Sequence, residues 1–352
     1  MKTLDFSQWA VVAHNDDTGF GRQARDIRKV LSFGRHIVIP SERLTDRPLN
    51  PRDEVILSPA DPEARVKEVL QGLQGIIFFE RPAWNPHILR CARELGVFTV
   101  AVPNWEWFLG SDPLWDFCDL FACPNAMALQ TVRSYHRTNS VQLPWCLDLD
   151  SLPAQSVQGH ARTFVHNGGL VDKDDRKSTR MTIEAFCRTR RKDIRLIVRL
   201  QKEVPLPEID ERVDVQIGNI ESHADLYRDV DVAIQPSKME GIGFMILEAV
   251  CAGLPVITTD YPPMNEYVLQ PELRAKTQWW KRKAHATKWI KQAHLRLPRE
   301  SDLVRRIEWC ADHDMAPFSR QNRAWAEEIF SADHLRRQWS ETFDAHLFST
   351  RS

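Results

Sequence analysis

The stretch PSKMEGIGFMILEAVCAGLPVITTD, residues 236–260, holds two carboxylates, Glu240 and Glu248, eight positions apart in a run that is otherwise apolar and rich in glycine. A buried carboxylate without a partner is costly, so the pair raises the question of what it contacts. The preceding DVAIQP is typical of a strand, and the following FMILEAVCAG of a helix. Gly241 and Gly243 lie between them, where glycine lets the backbone approach a ligand and the helix N-terminus attracts an anion such as a diphosphate.

The spacing places Glu248 one turn into this helix, on the same face as Phe244 and within reach of a sugar hydroxyl next to the phosphates. Glu240 lies in the loop, where we expect it to accept from a hydroxyl on the other side. The alternative is that Glu248 is an exposed acid near a helix start, where the helix dipole favours it. The spacing alone leaves both interpretations open.

Strands and helices alternate on both sides of this stretch. WAVVAH, GIIFFE and VFTVAVP are predicted strands of the first half, and TFVHNGG, IRLIVRL and VDVQIG of the second, with helices such as HADLYRDV between strands. Such alternation predicts an α/β fold of two doubly wound, Rossmann-like domains, each with a parallel sheet. The polar residues 147–163 mark the boundary, which gives domains over 1–150 and 161–330. Ligands of such sheets bind at the carboxyl ends of the strands.

The composition narrows the class of protein. The 352 residues include 47 Lys plus Arg against 48 Asp plus Glu, so the net charge says nothing about a polyanionic partner, although local charge can. No apolar run reaches the length of a transmembrane helix, and the first residues lack the apolar region of a signal peptide. The seven cysteines are scattered, which is typical of reduced thiols in a cytoplasmic protein. Cys118 and Cys123 have no second Cys or His pair beside them, so we expect no zinc site.

The motif P-S-K-M-E-G-I-G-F-M-I-L-E-A-V-C-A-G-L-P-V-I resembles the nucleotide-sugar signature of the retaining GT-B glycosyltransferases, in particular family 4 with its E-x7-E pattern. The resemblance extends more faintly from about residue 9 to about residue 268, and again over the last helix. It implies two domains facing a cleft, the second of which binds a nucleotide sugar. It also implies that the closing helix, within 331–352, crosses back to the N-terminal domain.

The resemblance implies a role for each residue of the motif. Glu248 would hold the ribose hydroxyls of a UDP- or GDP-sugar, and Glu240 would contact the donor hexose as a catalytic residue. The backbone between them would meet the diphosphate and sugar, through Gly241, Ile242, Gly243 and Phe244. Glu266 falls where family members often carry a further acid, and a surface role is its alternative.

A cation is needed because two phosphates gain charge as the sugar leaves. In FVHNGGLVDKDDRKSTRMTIEAF (164–186), Lys177 takes the place of the family's lysine and is preceded by Arg176. The position of the family's arginine holds Gly169, so Arg176 or Arg199 is expected to supply the second charge. The alternative is that Arg176 and Lys177 are only solvated side chains at a helix start, where the helix dipole disfavours cations.

Two stretches of the first domain extend the predicted site. The residues around HNDDTGFGRQ resemble the family's glycine loop, which approaches the donor phosphates, so Gly19 and Gly21 are candidate donor contacts. In VPNWEWF, we expect Glu106 to accept from the acceptor hydroxyl and Trp105 to stack on a sugar or base. Ordinary packing is the alternative for Trp105.

The family retains the anomeric configuration, usually by front-face attack in which the leaving phosphate oxygen takes the acceptor's proton. The protein then positions the reactants and stabilises charge, which fits a site of glycines, one Lys and two Glu. No metal and no tightly bound cofactor are expected. The loop acids are interpreted as solvated, namely Asp16, Asp17, Asp172, Asp174 and Asp175.

The insert 273–299 has nine Lys or Arg, two His, three Trp and no acid. Three interpretations stay open: a polyanion-binding surface, a membrane-surface helix on anionic lipid, or a solvated helix whose tryptophans pack on the nucleotide domain. The spacing of apolar residues from Trp280 to Ile290 suits an amphipathic helix. The candidate polyanion contacts are Lys281, Arg282, Lys283 and Lys288.

Taken together, these motifs predict a cytoplasmic enzyme that moves a sugar from a nucleotide donor to an acceptor hydroxyl, with retention. The acceptor is a glycan, a lipid-linked sugar, or a polyanion such as DNA with hydroxymethylated bases. One alternative is a sugar-nucleotide 2-epimerase of the same fold. Another is a non-catalytic binder of polyanions or lipid on a transferase scaffold.

Overall fold

The computed structural model describes residues 4–16, 19–40, 47–80, 85–220, 222–288 and 290–350. Asp17, Thr18 of the predicted glycine loop, and Trp289 of the basic insert lie outside the described residues. The chain forms two compact units, one of Met1–Asp148 together with Ile329–Ser352 and one of Leu149–Glu328.

The first unit contains a seven-stranded sheet in the order β3-β2-β1-β4-β5-β6-β7, with every neighbouring pair parallel. The strands are β1 (Trp9–Ala13), β2 (Arg35–Val38), β3 (Glu54–Ile56), β4 (Gly75–Phe79), β5 (Phe98–Val102), β6 (Leu120–Cys123) and β7 (Ser140–Gln142). Its helices are α1 (Gly19–Leu31), α2 (Glu63–Leu70), α3 (Ile88–Glu94), α4 (Ala126–Ser134) and α9 (Ala332–Thr350).

The last helix of the chain completes the core of this first unit. In α9, the ring of Phe343 stacks on that of Trp9 with 5.0 Å between centroids. Nε1 of Trp339 donates to the carbonyl of Pro144 at 3.0 Å. Both tryptophans are buried, so α9 covers apolar surface of β1.

The second unit contains a six-stranded parallel sheet in the order β10-β9-β8-β11-β12-β13, and beside it a two-stranded antiparallel hairpin, β14-β15. The strands are β8 (Thr163–Gly169), β9 (Arg195–Leu200), β10 (Val213–Ile217), β11 (Val232–Gln235), β12 (Val256–Thr259), β13 (Arg274–Ala275), β14 (Thr277–Lys283) and β15 (His294–Pro298). The helices are α5 (Thr179–Cys187), α6 (Phe244–Cys251), α7 (Glu300–Asp312) and α8 (Ala316–Phe330), which leads out of the unit.

The predicted fold class, two doubly wound α/β domains, is confirmed by these two sheets. Two local predictions are wrong. HADLYRDV was expected to form a helix, and only His223–Leu226 forms a short 3-10 turn, because Tyr227 turns inward and Asp229 adopts a φ of +57°. The spacing in the basic insert suited an amphipathic helix, which two of its three interpretations assumed, and the insert instead forms the hairpin β14-β15.

No helix within the described ranges is long and apolar enough to cross a membrane.

Candidate active site

Two loops of the second unit follow neighbouring strands at the middle of its sheet. The lysine loop, residues 170–178, joins β8 to α5, and the glutamate loop, residues 236–243, joins β11 to α6. The strand order reverses between β8 and β11, because β9 lies on one side and β12 on the other. Parallel strands bring their carboxyl ends to one edge, and the reversal point of such a sheet is where ligands bind.

Two hydrogen bonds tie these loops together. Oγ of Ser178 donates to the carbonyl of Pro236 at 2.7 Å, and the backbone N–H of Lys238 donates to the carbonyl of Arg176 at 2.7 Å. On the far side of the glutamate loop, Oγ1 of Thr259 donates to the carbonyl of Ser237 at 2.7 Å. The side chains of the two loops are therefore held at fixed distances from one another.

Glu240 and Lys177, one from each loop, form the charged centre of this edge. Nζ of Lys177 lies 3.6 Å from Oε1 of Glu240, which also accepts from Oγ of Ser237 at 2.6 Å. Burial alone would raise the pKa of Glu240, but Lys177 and then Arg176 outweigh it and hold the pKa below its ordinary value. Glu240 is therefore a carboxylate that accepts hydrogen bonds at neutral pH.

The N-terminus of α6 faces the same edge. Gly243 precedes the helix with a φ of +82°, a conformation that favours glycine. The first turn of an α-helix has backbone N–H groups without partners inside the helix, and the helix dipole adds positive charge there. With Lys177 beside it, this end of α6 has the chemistry of an anion site.

The first turn of α5 is different, because the protein's own carboxylate binds it. Asp175 accepts from the backbone N–H of Thr179 at 2.8 Å and of Arg180 at 3.1 Å. The interpretation of Asp175 as a solvated acid is therefore wrong: it is buried and caps α5. Asp16 is likewise buried, whereas Asp172 is exposed as expected.

Glu248 is fully buried, so the alternative of an exposed acid is wrong. Nε2 of His223 donates to Oε1 of Glu248 at 2.8 Å, and the hydroxyl of Tyr227 donates to Oε2 at 2.9 Å. These partners satisfy a charge that would otherwise be costly to bury. Neither was identified from the sequence, because both lie more than 20 positions before Glu248 in a segment interpreted as an ordinary helix.

Lys238 is a buried cation of the glutamate loop that was not predicted from the sequence. Nζ of Lys238 donates to the carbonyl of Asp174 at 3.1 Å and lies 3.7 Å from Oδ2 of Asp175. Burial lowers its pKa, and Asp175 opposes that shift. The sequence signal that could have identified Lys238 was a lysine two residues before Glu240 in a mostly apolar stretch.

The other predicted cations lie at different points of the unit. Nε of Arg176 is 3.6 Å from Oδ2 of Asp172, and Arg176 is close enough to Glu240 to lower its pKa. Arg199 is on β9, where Nη1 donates to the carbonyl of Leu226 at 2.5 Å, next to the segment that holds Glu248. Gly169 ends β8 with a φ of +58°, so an arginine at this position would be strained.

In the first unit, the two glycines in the first turn of α1 differ in their surroundings. A Cβ on Gly19 would meet no atom within 4 Å, whereas a Cβ on Gly21 would lie 2.0 Å from the carbonyl oxygen of Asp16. Gly21 is thus needed by the packing of α1 against the preceding loop. Its contact with a donor, and that of Gly19, stay predictions.

Trp105 and Glu106 lie on a 3-10 helix, Trp105–Trp107, after β5, and both are buried. Burial of Trp105 favours the packing alternative over stacking on an acceptor. The role of Glu106 toward an acceptor hydroxyl stays a prediction. Glu266, in the second unit, is half-buried on the 3-10 helix Met264–Glu266 that follows β12.

The candidate polyanion contacts are on the hairpin and the turn that joins its strands. Lys281, Arg282 and Lys283 are exposed on β14, and Lys288 is exposed on the 3-10 turn His285–Lys288. Within the part of the chain that the structure describes, no group of three or more His, Cys, Asp or Glu side chains is arranged to hold a metal ion.

Comparison with known proteins identifies this architecture. A family model described as "Glycosyl transferases group 1" matches residues 161–287, which include both loops and Glu248. The two sheets and this match confirm the resemblance to GT-B glycosyltransferases. No curated protein matches the chain.

Several solved structures share the fold over nearly the whole chain at low identity. Anabaena HepE, solved with UDP and glucose, has a TM-score of 0.70 and 12% identity, covering 96% of this chain and 99% of HepE. Sucrose-phosphate synthase from Thermosynechococcus elongatus has a TM-score of 0.66 and 13% identity, covering 97% and 99%. A candidate UDP-N-acetylglucosamine 2-epimerase from Listeria monocytogenes has a TM-score of 0.57 and 10% identity, covering 97% and 96%.

Proposed function

We propose that this chain is a retaining glycosyltransferase that uses a nucleoside-diphosphate sugar, UDP- or GDP-linked, and transfers the sugar to an acceptor hydroxyl. The observation that carries the proposal is the pairing of Lys177 with Glu240 at the N-terminus of α6. A diphosphate suits the lysine and the helix N-terminus, and a sugar hydroxyl suits the ionised Glu240. The family match over 161–287 and the UDP in the HepE structure support a nucleotide-sugar donor.

In the proposed reaction, the acceptor oxygen attacks the anomeric carbon from the face that the diphosphate leaves. The new carbon–oxygen bond forms as the bond to the phosphate oxygen breaks, and that oxygen takes the acceptor's proton. Lys177 and the N–H groups of α6 stabilise the charge that develops on the phosphates. Glu240 holds a hydroxyl of the donor sugar and thereby fixes the anomeric carbon in position.

Glu248 has a positioning role in this proposal. Its bonds to His223 and Tyr227 fix the segment between β10 and β11 against α6. His223 is partly exposed and Glu248 is buried, so an incoming ribose meets the imidazole beside the diphosphate site. In this proposal, the ribose hydroxyls take the place of His223 at Oε1 of Glu248, and Tyr227 keeps its bond to Oε2.

Nucleotide binding to matched lysine variants tests the donor site. Lys177→Met removes the charge beside Glu240, whereas Lys173→Met removes an exposed charge on the same loop. We expect calorimetry to show UDP or GDP binding weakened about tenfold by Lys177→Met and less than about twofold by Lys173→Met. If wild type binds neither nucleotide, or both variants lose the same affinity, the donor site is not at Lys177.

The epimerase alternative is favoured by one observation, the fold shared with the Listeria monocytogenes protein. Incubation with UDP-N-acetylglucosamine separates the two reactions. A retaining transferase releases UDP and transfers the sugar to water or to an added acceptor. The product has the anomeric configuration of the donor, and NMR of the product detects this configuration. A sugar-nucleotide 2-epimerase inverts the configuration at C2 while the sugar stays bonded to UDP, so its product is the 2-epimeric UDP-sugar and the net release of UDP is zero.

A further inference from the structure

The hairpin β14-β15 places a lysine opposite an arginine and a second lysine opposite a histidine. Lys281 lies opposite Arg296 in the antiparallel register, and Lys283 lies opposite His294. Like charges directly opposite each other destabilise a strand pair. Burial lowers the pKa of His294, and Lys281 and Lys283 lower it further. An anion bound across these pairs would relieve the repulsion.

The protein supplies little negative charge to this hairpin. Arg282 lies 3.7 Å from Oδ1 of Asp174, but within the described ranges no ion pair involves Lys281 or Lys283. Both lysines are exposed. Next to them on β14, Trp279 is 85% exposed and Trp280 is 41% exposed. Aromatic rings beside cations suit a ligand that carries flat rings on an anionic chain.

Hydrogen bonds attach the hairpin to both loops of the candidate active site. The backbone N–H of Arg296 donates to the carbonyl of Lys238 at 2.8 Å, two residues before Glu240. The backbone N–H of His285 donates to Oδ2 of Asp174 at 2.6 Å, on the lysine loop. A molecule on the hairpin therefore lies next to the site proposed for the donor phosphates.

The shape and charge of the hairpin select among the three interpretations of the insert. A membrane-surface helix would present a continuous apolar face, whereas β14 presents two tryptophans followed by three cations on a strand. The packed-helix interpretation fails because Trp279 is exposed. A neutral glycan gives no reason for the three cations Lys281, Lys283 and Arg296 on neighbouring positions of the two strands.

We propose that the hairpin β14-β15 holds a single-stranded nucleic acid as the acceptor substrate of the transferase. Lys281, Lys283 and Arg296 contact its phosphates, and Trp279 and Trp280 stack on its bases. A hydroxyl on a base or sugar of the strand then attacks the anomeric carbon, with its proton passing to the departing diphosphate. This inference rests on the proposed function.

Fluorescence anisotropy with a labelled 20-nucleotide oligodeoxythymidine tests the proposal. We expect Lys281→Gln with Lys283→Gln to weaken binding about tenfold at 0.1 M salt, and to reduce the slope of log affinity against log salt by about 1.4. Trp279→Ala, at an exposed position, is expected to weaken binding about fivefold or more. The matched control is Arg190→Gln with Lys192→Gln, two exposed cations just before β9.

Equal losses in the control and the hairpin variants would overturn the proposal, as would binding of phosphatidylserine vesicles without binding of the oligonucleotide. UDP and GDP binding by the same hairpin variants is expected to match wild type. Nucleotide binding without oligonucleotide binding would contradict this inference alone. Oligonucleotide binding without nucleotide binding would contradict the proposed function instead.

Discussion

The balance of charge in the candidate site depends on Glu240. It is buried, and its pKa is below the ordinary value because Lys177 and Arg176 outweigh the effect of burial. Its carboxylate is 3.6 Å from Nζ of Lys177, so each ion compensates the other in the free protein. With a diphosphate bound as proposed, Lys177 would have two anionic neighbours, and Glu240 would restrain the lysine between them.

The variant Glu240→Gln tests this arrangement. It keeps the shape of the side chain and removes its negative charge beside the phosphates. We expect the rate of sugar transfer or donor hydrolysis to fall at least about 100-fold, because the donor sugar loses a charge-assisted hydrogen bond. The affinity for UDP or GDP is expected to stay equal or increase, because a like charge near the phosphates is gone.

Steady-state kinetics and calorimetry on the same preparation measure both quantities. Glu272→Gln, at an exposed position of the same unit, is the matched control and is expected to change neither. A rate within about threefold of wild type for Glu240→Gln would remove Glu240 from the reaction.

The sequence predicted the candidate site best where one short segment supplies all the residues. The spacing of Glu240, Gly243 and Glu248 predicted a loop and the first turns of a helix, and the structure has them there. The partners of Glu248 were not predicted, because His223 and Tyr227 reach it across the fold. Pairing between distant segments leaves no local periodicity to detect.

At the scale of elements, the start of α1 depends on one close approach of two backbones. Gly21 is in the first turn of α1, and the carbonyl of Asp16 occupies the space that a side chain would need. Nη1 of Arg25 donates to the same carbonyl at 2.8 Å. Helix and preceding loop are therefore packed through Gly21 and fixed through Arg25.

Alanine variants of the two glycines test this packing. Gly21→Ala places a Cβ 2.0 Å from a backbone oxygen, so we expect it to lower the free energy of unfolding of the first unit by about 2 kcal/mol or more. Gly19→Ala meets open space and is expected to change it by less than about 1 kcal/mol. Denaturant unfolding measures both, and equal effects would contradict the packing role.

The hairpin β14-β15 was not predicted because its first strand lacks the alternation that marks most strands. A strand with one buried face alternates apolar and polar residues, but Trp279 to Lys283 are all exposed. The apolar residues of the connecting turn, such as Ala286 and Ile290, are buried at positions that also fit a helical period. A four-residue spacing of this kind cannot distinguish a helix from a packed turn.

At the scale of the whole molecule, each unit contains one buried histidine in its sheet. His36 is on β2 and His166 is on β8, and burial lowers the pKa of each from 6.5 to about 4. His166 is held neutral between the carbonyl of Ile234 and the hydroxyl of Thr179. Because the pKa is lower in the folded state, the unfolded chain binds more protons between about pH 4 and pH 6.5.

Stability is therefore expected to fall as the pH falls through this window. Each histidine accounts for up to about 3 kcal/mol, fully present above pH 6.5 and lost by about pH 4. Urea unfolding at pH 7.5, 6 and 5 measures the slope. His166→Gln is expected to flatten the slope for the second unit, and His160→Gln, at an exposed position, is expected to leave it unchanged. An unaltered slope in His166→Gln would contradict the assignment.

Much of the fold was predictable because buried parallel strands are continuous apolar runs. Trp9–Ala13, Gly75–Phe79 and Val232–Gln235 were all predicted as strands for this reason. Short edge strands such as β3 and β7 were not predicted, because their side chains are mostly exposed or half-buried. The edges of the sheets carry weaker apolar patterns than their centres.

The path of α9 has a consequence for the way the protein is made. The ribosome produces Trp9 more than 300 residues before Phe343, the residue whose ring covers it. Residues 149–328 are contiguous, so the second unit can close while the first still lacks its last helix. The first unit thus starts before the second and is completed after it, so the surface around Trp9 lacks its cover until Phe343 has been made.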